Sequence, residues 1–149
     1  ECDDVKGKTL AILGLTFKPG TDDMRESSSL VIIPELLKAG AIIRAYDPQG
    51  MKEAKKLLRG DITWCEDAYA AMDQADALII LTEWNEFRSL ELKKAKKLLK
   101  AALVIDLRNI YKRQDMQKPG FHYISLGRQD VVPGQPWIPD LNIDDEKAA

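Results

Sequence analysis

Positively charged side chains follow two of the most apolar runs of this 149-residue chain. Lys18 and Arg25 lie in the polar stretch after residues 10–15, and Arg108 comes directly after residues 103–107. Ligands of an open parallel sheet bind beyond the carboxyl ends of its strands. A guanidinium fits a diphosphate or sugar hydroxyls, so these cations indicate an anion site. The alternatives are solvated surface charges for Lys18 and Arg25, and for Arg108 an ion pair with Asp106 or Asp23.

The stretch around Arg25 also contains a signal for the start of a helix. Asp23 followed by Glu26 fits a capping box, which would leave free amides and the positive end of a helix dipole beside the Pro19–Gly20 turn. A helix start of this kind binds anions. The stretch has only Gly14 and Gly20, so it lacks the glycine pattern of a dinucleotide-binding loop.

Other side chains at the predicted strand ends have structural interpretations. Asp47 stands where a dinucleotide-binding domain places a ribose-binding acid, but Asp47-Pro48 is more typical of a turn. Trp84 and Phe87 could flank a ligand, although packing under the loop is favoured because buried aromatic rings usually serve the core.

The thiols and the imidazole predict neither a metal site nor a nucleophile. Cys2 lies among acidic residues, and Cys65 ends a short apolar run, where a small core residue is expected. His122, the one histidine, also adjoins an apolar run. Their spacing fits neither a zinc site nor a thiol–histidine pair, so we expect no catalytic and no metal-binding residue.

The order of apolar and amphipathic segments predicts the fold. Strand-like runs alternate with stretches of helical spacing, which is typical of parallel strands joined by crossover helices. We therefore expect one Rossmann-like α/β domain, a doubly wound and mainly parallel sheet of five or six strands between two helical layers, with the first strand central. The strand-like runs are 9–15, 41–46, 62–65, 77–81, 102–107 and 121–126, and the helical stretches are 28–39, 51–58, 68–75 and 90–101.

The ends of the chain differ from its centre. Residues 1–6 are predicted to lead into a domain formed by residues 7–127. Residues 128–149, with three prolines and a run of acids, are predicted to form an extended and partly disordered arm. Pro34 lies inside the first helical stretch, where it lacks an amide donor, so we expect a kink or a late helix start.

The composition limits the partners. The net charge is −2, with 22 basic and 24 acidic residues, so a nucleic-acid partner is not expected. No apolar run approaches the ~20 residues that span a bilayer, and residues 1–4 do not resemble a signal peptide. The sequence predicts a cytoplasmic protein.

Four segments, in this order, resemble the C-terminal, UDP-binding domain of the UDP-glucose/GDP-mannose dehydrogenase family. They are residues 13–27, Leu-Gly-Leu-Thr-Phe-Lys-Pro-Gly-Thr-Asp-Asp-Met-Arg-Glu-Ser; residues 46–48, Tyr-Asp-Pro; residues 82–84, Thr-Glu-Trp; and residues 106–108, Asp-Leu-Arg. The first of them is highly specific, and the likeness covers about residues 7–108. Within the family, these segments are most similar to the UDP-glucose 6-dehydrogenases.

The resemblance implies roles for individual residues. Phe17 and Lys18 match positions that contact the UDP-sugar. Arg25 matches an arginine that reaches the NAD held by the family's other domain. Arg108 matches an arginine that contacts the sugar nucleotide, commonly in a neighbouring subunit, which implies a homo-oligomer. The implied reaction oxidises the sugar C6 alcohol to a carboxylate in two NAD-dependent hydride transfers through a cysteine-linked intermediate.

The family's NAD-binding domain and its catalytic cysteine match nothing in this sequence. The chain alone is therefore expected to bind the sugar nucleotide without catalysing its oxidation.

Several alternatives stay open. The sugar could be that of UDP-glucose, a UDP-N-acetylhexosamine or GDP-mannose. A receiver-like regulatory module using the acid pair Asp22–Asp23 would need a phosphoacceptor after strand three, for which Asp67 is a poor candidate, and a lysine in place of Arg108. A third possibility is a pure assembly domain.

Overall fold

Strands and helices alternate along the chain. The computed structural model describes residues 5–135. Cys2 and most of the predicted arm lie outside the described residues. The elements in order are β1 (Thr9–Leu13), α1 (Ser29–Lys38), β2 (Ile42–Tyr46), α2 (Met51–Leu57), β3 (Ile62–Trp64), α3 (Ala68–Met72), β4 (Ala77–Ile80), α4 (Asn85–Arg88), α5 (Leu92–Leu98), β5 (Leu103–Asp106), α6 (Arg113–Gln117) and β6 (His122–Ser125).

The six strands form one sheet in the order β3-β2-β1-β4-β5-β6, and every neighbouring pair is parallel. β1 lies between β2 and β4, with Leu13 opposite both Tyr46 and Ile80. The predicted Rossmann-like α/β sheet with a central first strand is therefore confirmed. The chain runs from β1 to β2 and β3 on one side and then crosses to β4 on the other side of β1. This reversal creates a crevice at the carboxyl ends of β1 and β4.

Each face of the sheet has its own apolar core. Helices α3, α5 and α6 contribute to one core, in which Met72, Phe121 and Tyr123 are fully buried. Helices α1 and α2 contribute to the other, around Ile33 and Ile43. Burying one such side chain contributes about 1.5–3 kcal/mol. Because the sheet is covered on both faces, all four residues of β4 are buried, which explains its continuously apolar sequence.

The first helix corrects two expectations. It begins at Ser29 and continues through Pro34, so the late start is wrong. The capping box is also wrong, because the N-cap residue is Ser28 and its side chain makes no capping hydrogen bond. Glu26 lies before the helix with a φ of 58°, in the left-handed region.

Two short helices, α4 and α6, were not predicted. They contain four and five residues, which is too short for a helical repeat to show in the sequence. Beyond residue 127, Val131 is buried and forms an antiparallel bridge with Tyr123. In the described part of the chain, no helix has the length and apolar character to cross a membrane.

Candidate functional site

The carboxyl edge of the sheet brings together the segments that the sequence analysis singled out. Residues 14–28 connect β1 to α1, residues 81–84 connect β4 to α4, and residues 107–112 connect β5 to α6. Since β1, β4 and β5 are parallel neighbours, all three connections begin at the same edge. This is the edge at which open α/β sheets bind ligands.

A glycine allows the first two connections to pack directly on one another. Gly14 has a φ of 95°, and a Cβ atom there would lie 2.5 Å from both the Cβ and the backbone nitrogen of Thr82. The Thr82 hydroxyl donates a hydrogen bond to the Thr16 carbonyl at 2.8 Å. A larger residue at position 14 would force the two connections apart.

Two serines fix the far end of the loop after β1. The hydroxyls of Ser27 and Ser29 both donate to the Leu15 carbonyl, at 2.5 and 2.6 Å. The Phe17 amide also donates to the Asp23 carbonyl at 2.8 Å. The loop is therefore closed at its base, while residues 17–25 project from the sheet edge.

The projecting part carries three of the predicted site residues. Phe17 is 41% exposed, and Lys18 is exposed beside it. The Arg25 side chain is 88% exposed and forms a two-pronged ion pair with Asp23, with Nη2–Oδ2 at 2.9 Å and Nε–Oδ1 at 3.1 Å. The hydrogen bond from Arg25 lowers the pKa of Asp23 to about 2.

Two clefts adjoin this loop. Phe17 and Arg25 meet in a cleft of about 250 Å³, which Asp23 and Glu26 also line. A larger cleft of about 550 Å³ lies between the loop and helices α1 and α2. Its lining residues are Thr21, Asp22, Asp23, Met24, Arg25, Leu30, Glu53 and Leu57. Neither cleft includes Lys18 or Arg108, so the structure brings Phe17 and Arg25 together but not all four predicted residues.

The Arg108 side chain is fixed at the sheet edge by two contacts of its Nε atom. Its Nε donates to the Leu81 carbonyl at 2.8 Å and lies 3.4 Å from Glu83 Oε2. The alternative of an ion pair with Asp106 or Asp23 is therefore wrong in its partners, because the carboxylate beside the Arg108 guanidinium is Glu83. Within residues 5–135, the two terminal nitrogens of Arg108 have no hydrogen-bond partner, and the side chain is 34% exposed.

Asp106 holds the turn from which Arg108 projects. It is fully buried, and its Oδ1 accepts the Arg108 amide at 3.0 Å. Its Oδ2 accepts the amides of Ile110 and Tyr111 and the hydroxyl of Tyr123. One carboxylate thus satisfies three backbone donors that the end of β5 would otherwise leave unpaired.

Asp47, directly after β2, is likewise a buried acceptor for backbone amides. It is 1% exposed, and its carboxylate accepts backbone amides from the loop after β1 and the indole N–H of Trp84. Its oxygens are used internally, so a ribose-binding role is not supported. Trp84 and Phe87 are buried, and the interpretation that they pack under the loop is confirmed.

The remaining reactive side chains lie away from this edge or inside the core. Cys65 is buried, as predicted, and burial raises the pKa of its thiol. His122 lies at the other end of β6, 4.0 Å from Asp130 Oδ2. Over the described residues, no group of histidine, cysteine and acidic side chains could hold a metal ion.

The turn expected at Asp47-Pro48 is confirmed, because Asp47 Oδ1 accepts the amides of Gln49 and Gly50. Three other roles were not predicted from the sequence: those of Asp47 and Asp106 as buried acceptors, and that of Glu83 beside Arg108. An available signal was an aspartate placed at the end of an apolar strand, where the backbone amides of the following turn need an acceptor. The contact of Glu83 with Arg108 joins different strands and had no sequence signal.

The receiver-like alternative is not supported. β3 lies at the edge of the sheet, and Asp67 caps helix α3 by accepting the Ala70 amide at 2.7 Å. A phosphoacceptor would have to lie in the ligand crevice at the centre of the sheet.

Comparison with known proteins places the chain in a family. Residues 11–113 match the model of the UDP-binding domain of the UDP-glucose/GDP-mannose dehydrogenase family. The chain is 49% identical over 127 residues to a UDP-glucose 6-dehydrogenase of Rhizobium meliloti, covering 85% of this chain and 29% of the relative. It is 42% identical over 144 residues to UDP-glucose 6-dehydrogenase TuaD of Bacillus subtilis, covering 95% of this chain and 31% of the relative.

Solved structures agree. A UDP-glucose dehydrogenase of Pyrobaculum islandicum matches with a TM-score of 0.66 and 31% identity, over 83% of this chain and 26% of that one. An NDP-N-acetyl-D-galactosaminuronic acid dehydrogenase of Methanosarcina mazei matches with a TM-score of 0.70 and 27% identity, over 85% and 26% of the two chains. The chain thus spans less than a third of the length of these relatives, and it belongs to the UDP-glucose/GDP-mannose dehydrogenase family as its C-terminal, UDP-binding domain.

Proposed function

We propose that this chain binds the nucleotide part of UDP-glucose within an NAD-dependent UDP-glucose 6-dehydrogenase. The observation that carries the proposal is the Arg108 guanidinium, which is fixed through Nε while, among residues 5–135, both terminal nitrogens lack a hydrogen-bond partner. A guanidinium held in this way donates two parallel hydrogen bonds to a diphosphate without first having to become ordered.

The loop after β1 supplies the other contacts. Lys18 places a point charge at the same edge, and the exposed ring of Phe17 offers an apolar surface to the nucleoside. Arg108 serves the sugar nucleotide of this subunit or of a neighbour in a homo-oligomer. The binding energy of these groups holds the sugar in place for the hydride transfers that NAD accepts in the complete enzyme.

Among the residues that the structure describes, we assign a contact with NAD to Arg25. No glycine-rich loop follows β1, and the carboxylate of Asp47 is already used by internal donors. Arg25 is the side chain that can contact a dinucleotide bound elsewhere, because its guanidinium is exposed at the rim of the cleft beside Phe17. We assign the main NAD site to another part of the polypeptide, and we propose that the enzyme works in the cytoplasm.

Calorimetric titration of the 149-residue chain with UDP and with UDP-glucose tests the proposal. We expect Arg108→Ala and Lys18→Ala each to weaken binding about ten- to a hundredfold, because a charge-assisted hydrogen bond contributes about 1.5–3 kcal/mol. Arg59→Ala is the control, since Arg59 is exposed after α2, near the opposite edge. If all three variants bind UDP like the wild type, the cations at the carboxyl edge are solvated surface charges.

A second test separates Arg25 from the other cations and uses the full-length dehydrogenase. Arg25→Ala is expected to raise the dissociation constant of NAD and to leave that of UDP-glucose unchanged. The opposite pattern would reverse the assignment.

The isolated chain is expected to produce no NADH from UDP-glucose and NAD. Covalent hydride chemistry needs a thiolate next to the reacting carbon, and the described cysteine, Cys65, is buried with a raised pKa. NADH formation that Cys65→Ala abolishes would contradict this expectation.

A further inference from the structure

We propose that Asp47 is a positioning residue of the sugar-nucleotide site. Its carboxylate holds the loop after β1, which carries Phe17 and Lys18, against the connection after β4, which carries Glu83. The inference rests on the function proposed above and adds a residue that does not itself touch the ligand.

One oxygen of Asp47 joins the two connections. Oδ2 accepts the amides of Leu15 at 2.8 Å and Thr16 at 3.1 Å. It also accepts the Thr16 hydroxyl at 3.1 Å and the Trp84 indole N–H at 3.2 Å. Leu15 and Thr16 are the first residues of the β1 loop after Gly14, and Trp84 ends the connection after β4, so one atom fixes the relative position of both.

The other oxygen fixes the carboxylate itself. Oδ1 accepts the amides of Gln49 at 2.9 Å and Gly50 at 2.7 Å, in the turn before α2. Gly50 is needed for this packing, because a Cβ atom there would lie 2.4 Å from Thr16 Cγ2. Within the described residues, Asp47 therefore accepts six hydrogen bonds, and all six donors are uncharged.

Because all six groups are hydrogen-bond donors, asparagine cannot replace the aspartate without loss. An ionised carboxylate accepts hydrogen bonds at both oxygens and donates none. Asparagine would turn an amide N–H₂ group towards either the Oδ2 donors or the Oδ1 donors, and would leave that set without an acceptor. Because the Thr16 hydroxyl also lies 3.1 Å from the Lys18 carbonyl, a displacement of Thr16 is expected to displace Lys18.

A second aspartate provides a matched control for a purely structural effect. Asp76 precedes β4 at the opposite edge of the sheet, and its Oδ2 accepts the Thr9 amide at 2.8 Å. Asp76→Asn makes the same chemical change at the other end of the central strands. It tests whether the same change at a part-buried carboxylate elsewhere in the sheet is enough to weaken ligand binding.

The experiment measures the dissociation constant of UDP for the 149-residue chain by calorimetry, together with the ¹⁵N–¹H resonance of the Trp84 indole. We expect Asp47→Asn to weaken UDP binding at least tenfold and to shift the indole resonance before UDP is added. Asp76→Asn should leave the UDP dissociation constant within about twofold of the wild type, a difference that corresponds to about 0.4 kcal/mol. Trp84→Phe, which removes one donor and keeps most of the ring volume, should give an intermediate loss.

Four outcomes would overturn the inference. Asp47→Asn and Trp84→Phe could bind UDP like the wild type, or Asp76→Asn could lose as much affinity as Asp47→Asn. If Asp47→Asn does not fold, Trp84→Phe decides the question, and wild-type affinity in that variant overturns the inference. A wild-type chain that does not bind UDP would overturn the proposed function as well, so the two failures are distinguishable.

Discussion

The turn after β5 and the loop after β1 both present cations at the ligand edge, but they hold them differently. Arg108 follows its strand by two residues, and both its backbone amide and its Nε are hydrogen-bonded. Lys18 and Arg25 follow β1 by five and twelve residues, on a loop that is fixed at its base and exposed at its tip.

These two kinds of attachment determine how much of each side chain is ordered before a ligand binds. Arg108 loses little conformational freedom on binding, whereas Lys18 has most of its side-chain entropy still to lose. Arg25 is ordered by Asp23, but that ion pair is exposed and must rearrange for another anion to bind. The turn after β5 is therefore suited to recognition by a preformed guanidinium, and the loop after β1 to contacts that become ordered when the ligand binds.

The largest effect is expected from Asp106→Asn in the turn after β5. The amide N–H₂ group would face either the Arg108 amide or the donors that share Oδ2, and each donor left unpaired costs about 1–3 kcal/mol. We expect the free energy of unfolding to fall by about 3 kcal/mol, measured by urea denaturation. A loss below about 1 kcal/mol would show that the turn does not depend on this acceptor.

A smaller effect is expected at Asn109, which has a φ of 54° next to Arg108 and whose side chain bonds both the amide and the carbonyl of Leu126. Asn109→Ala should cost about 2 kcal/mol, because it loses these bonds and keeps a left-handed backbone. Asn109→Gly should cost about half as much, since glycine adopts this conformation freely. Equal losses in the two variants would show that backbone strain is unimportant here.

Alkaline pH should destabilise the turn after β5. Burial raises the pKa of Tyr123, and its hydrogen bond to Asp106 raises it further. A raised pKa in the folded state gives stability that is present below the unfolded value of about 10 and is lost as the pH rises above it. Urea denaturation at pH 8 and pH 11 should show a loss of stability that is smaller in Tyr123→Phe. An identical pH dependence in both proteins would assign the effect to other groups.

Loss of the ion pair between Asp23 and Arg25 should have the smallest effect, confined to the loop after β1. The pKa of Asp23 is lowered to about 2, so its ion pair with Arg25 is fully present above about pH 4 and is lost as the pH falls through 2. Because the pair is exposed, Asp23→Asn should leave the denaturation midpoint unchanged while phenylglyoxal modifies Arg25 faster, as detected by mass spectrometry. The modification rate of Arg59 is the internal control. An unchanged rate at Arg25 would mean that Asp23 does not restrain it.

The sequence was sufficient to predict a mainly parallel sheet with its first strand central, because apolar runs of strand length alternate with longer amphipathic stretches and right-handed crossovers leave few topologies. It also placed Lys18, Arg25 and Arg108 at one edge, since each follows a strand in a parallel sheet. Helices α4 and α6 were not predicted, because about one turn of helix is too short for the helical repeat of apolar residues to show in the sequence.

Only the tertiary structure decided which partners the edge residues have. Asp47 and Asp106 became acceptors for backbone amides because folding removed those amides from water and left the carboxylates as the nearest acceptors. The capping box predicted at Asp23 does not form. Helix α1 begins at Ser29, where the hydroxyls of Ser27 and Ser29 bond the Leu15 carbonyl, and the Asp23 carboxylate binds Arg25 instead. The contacts of Asp47 with Leu15 and Trp84, and that of Arg108 with Glu83, join residues far apart in the chain, so the local sequence does not contain them.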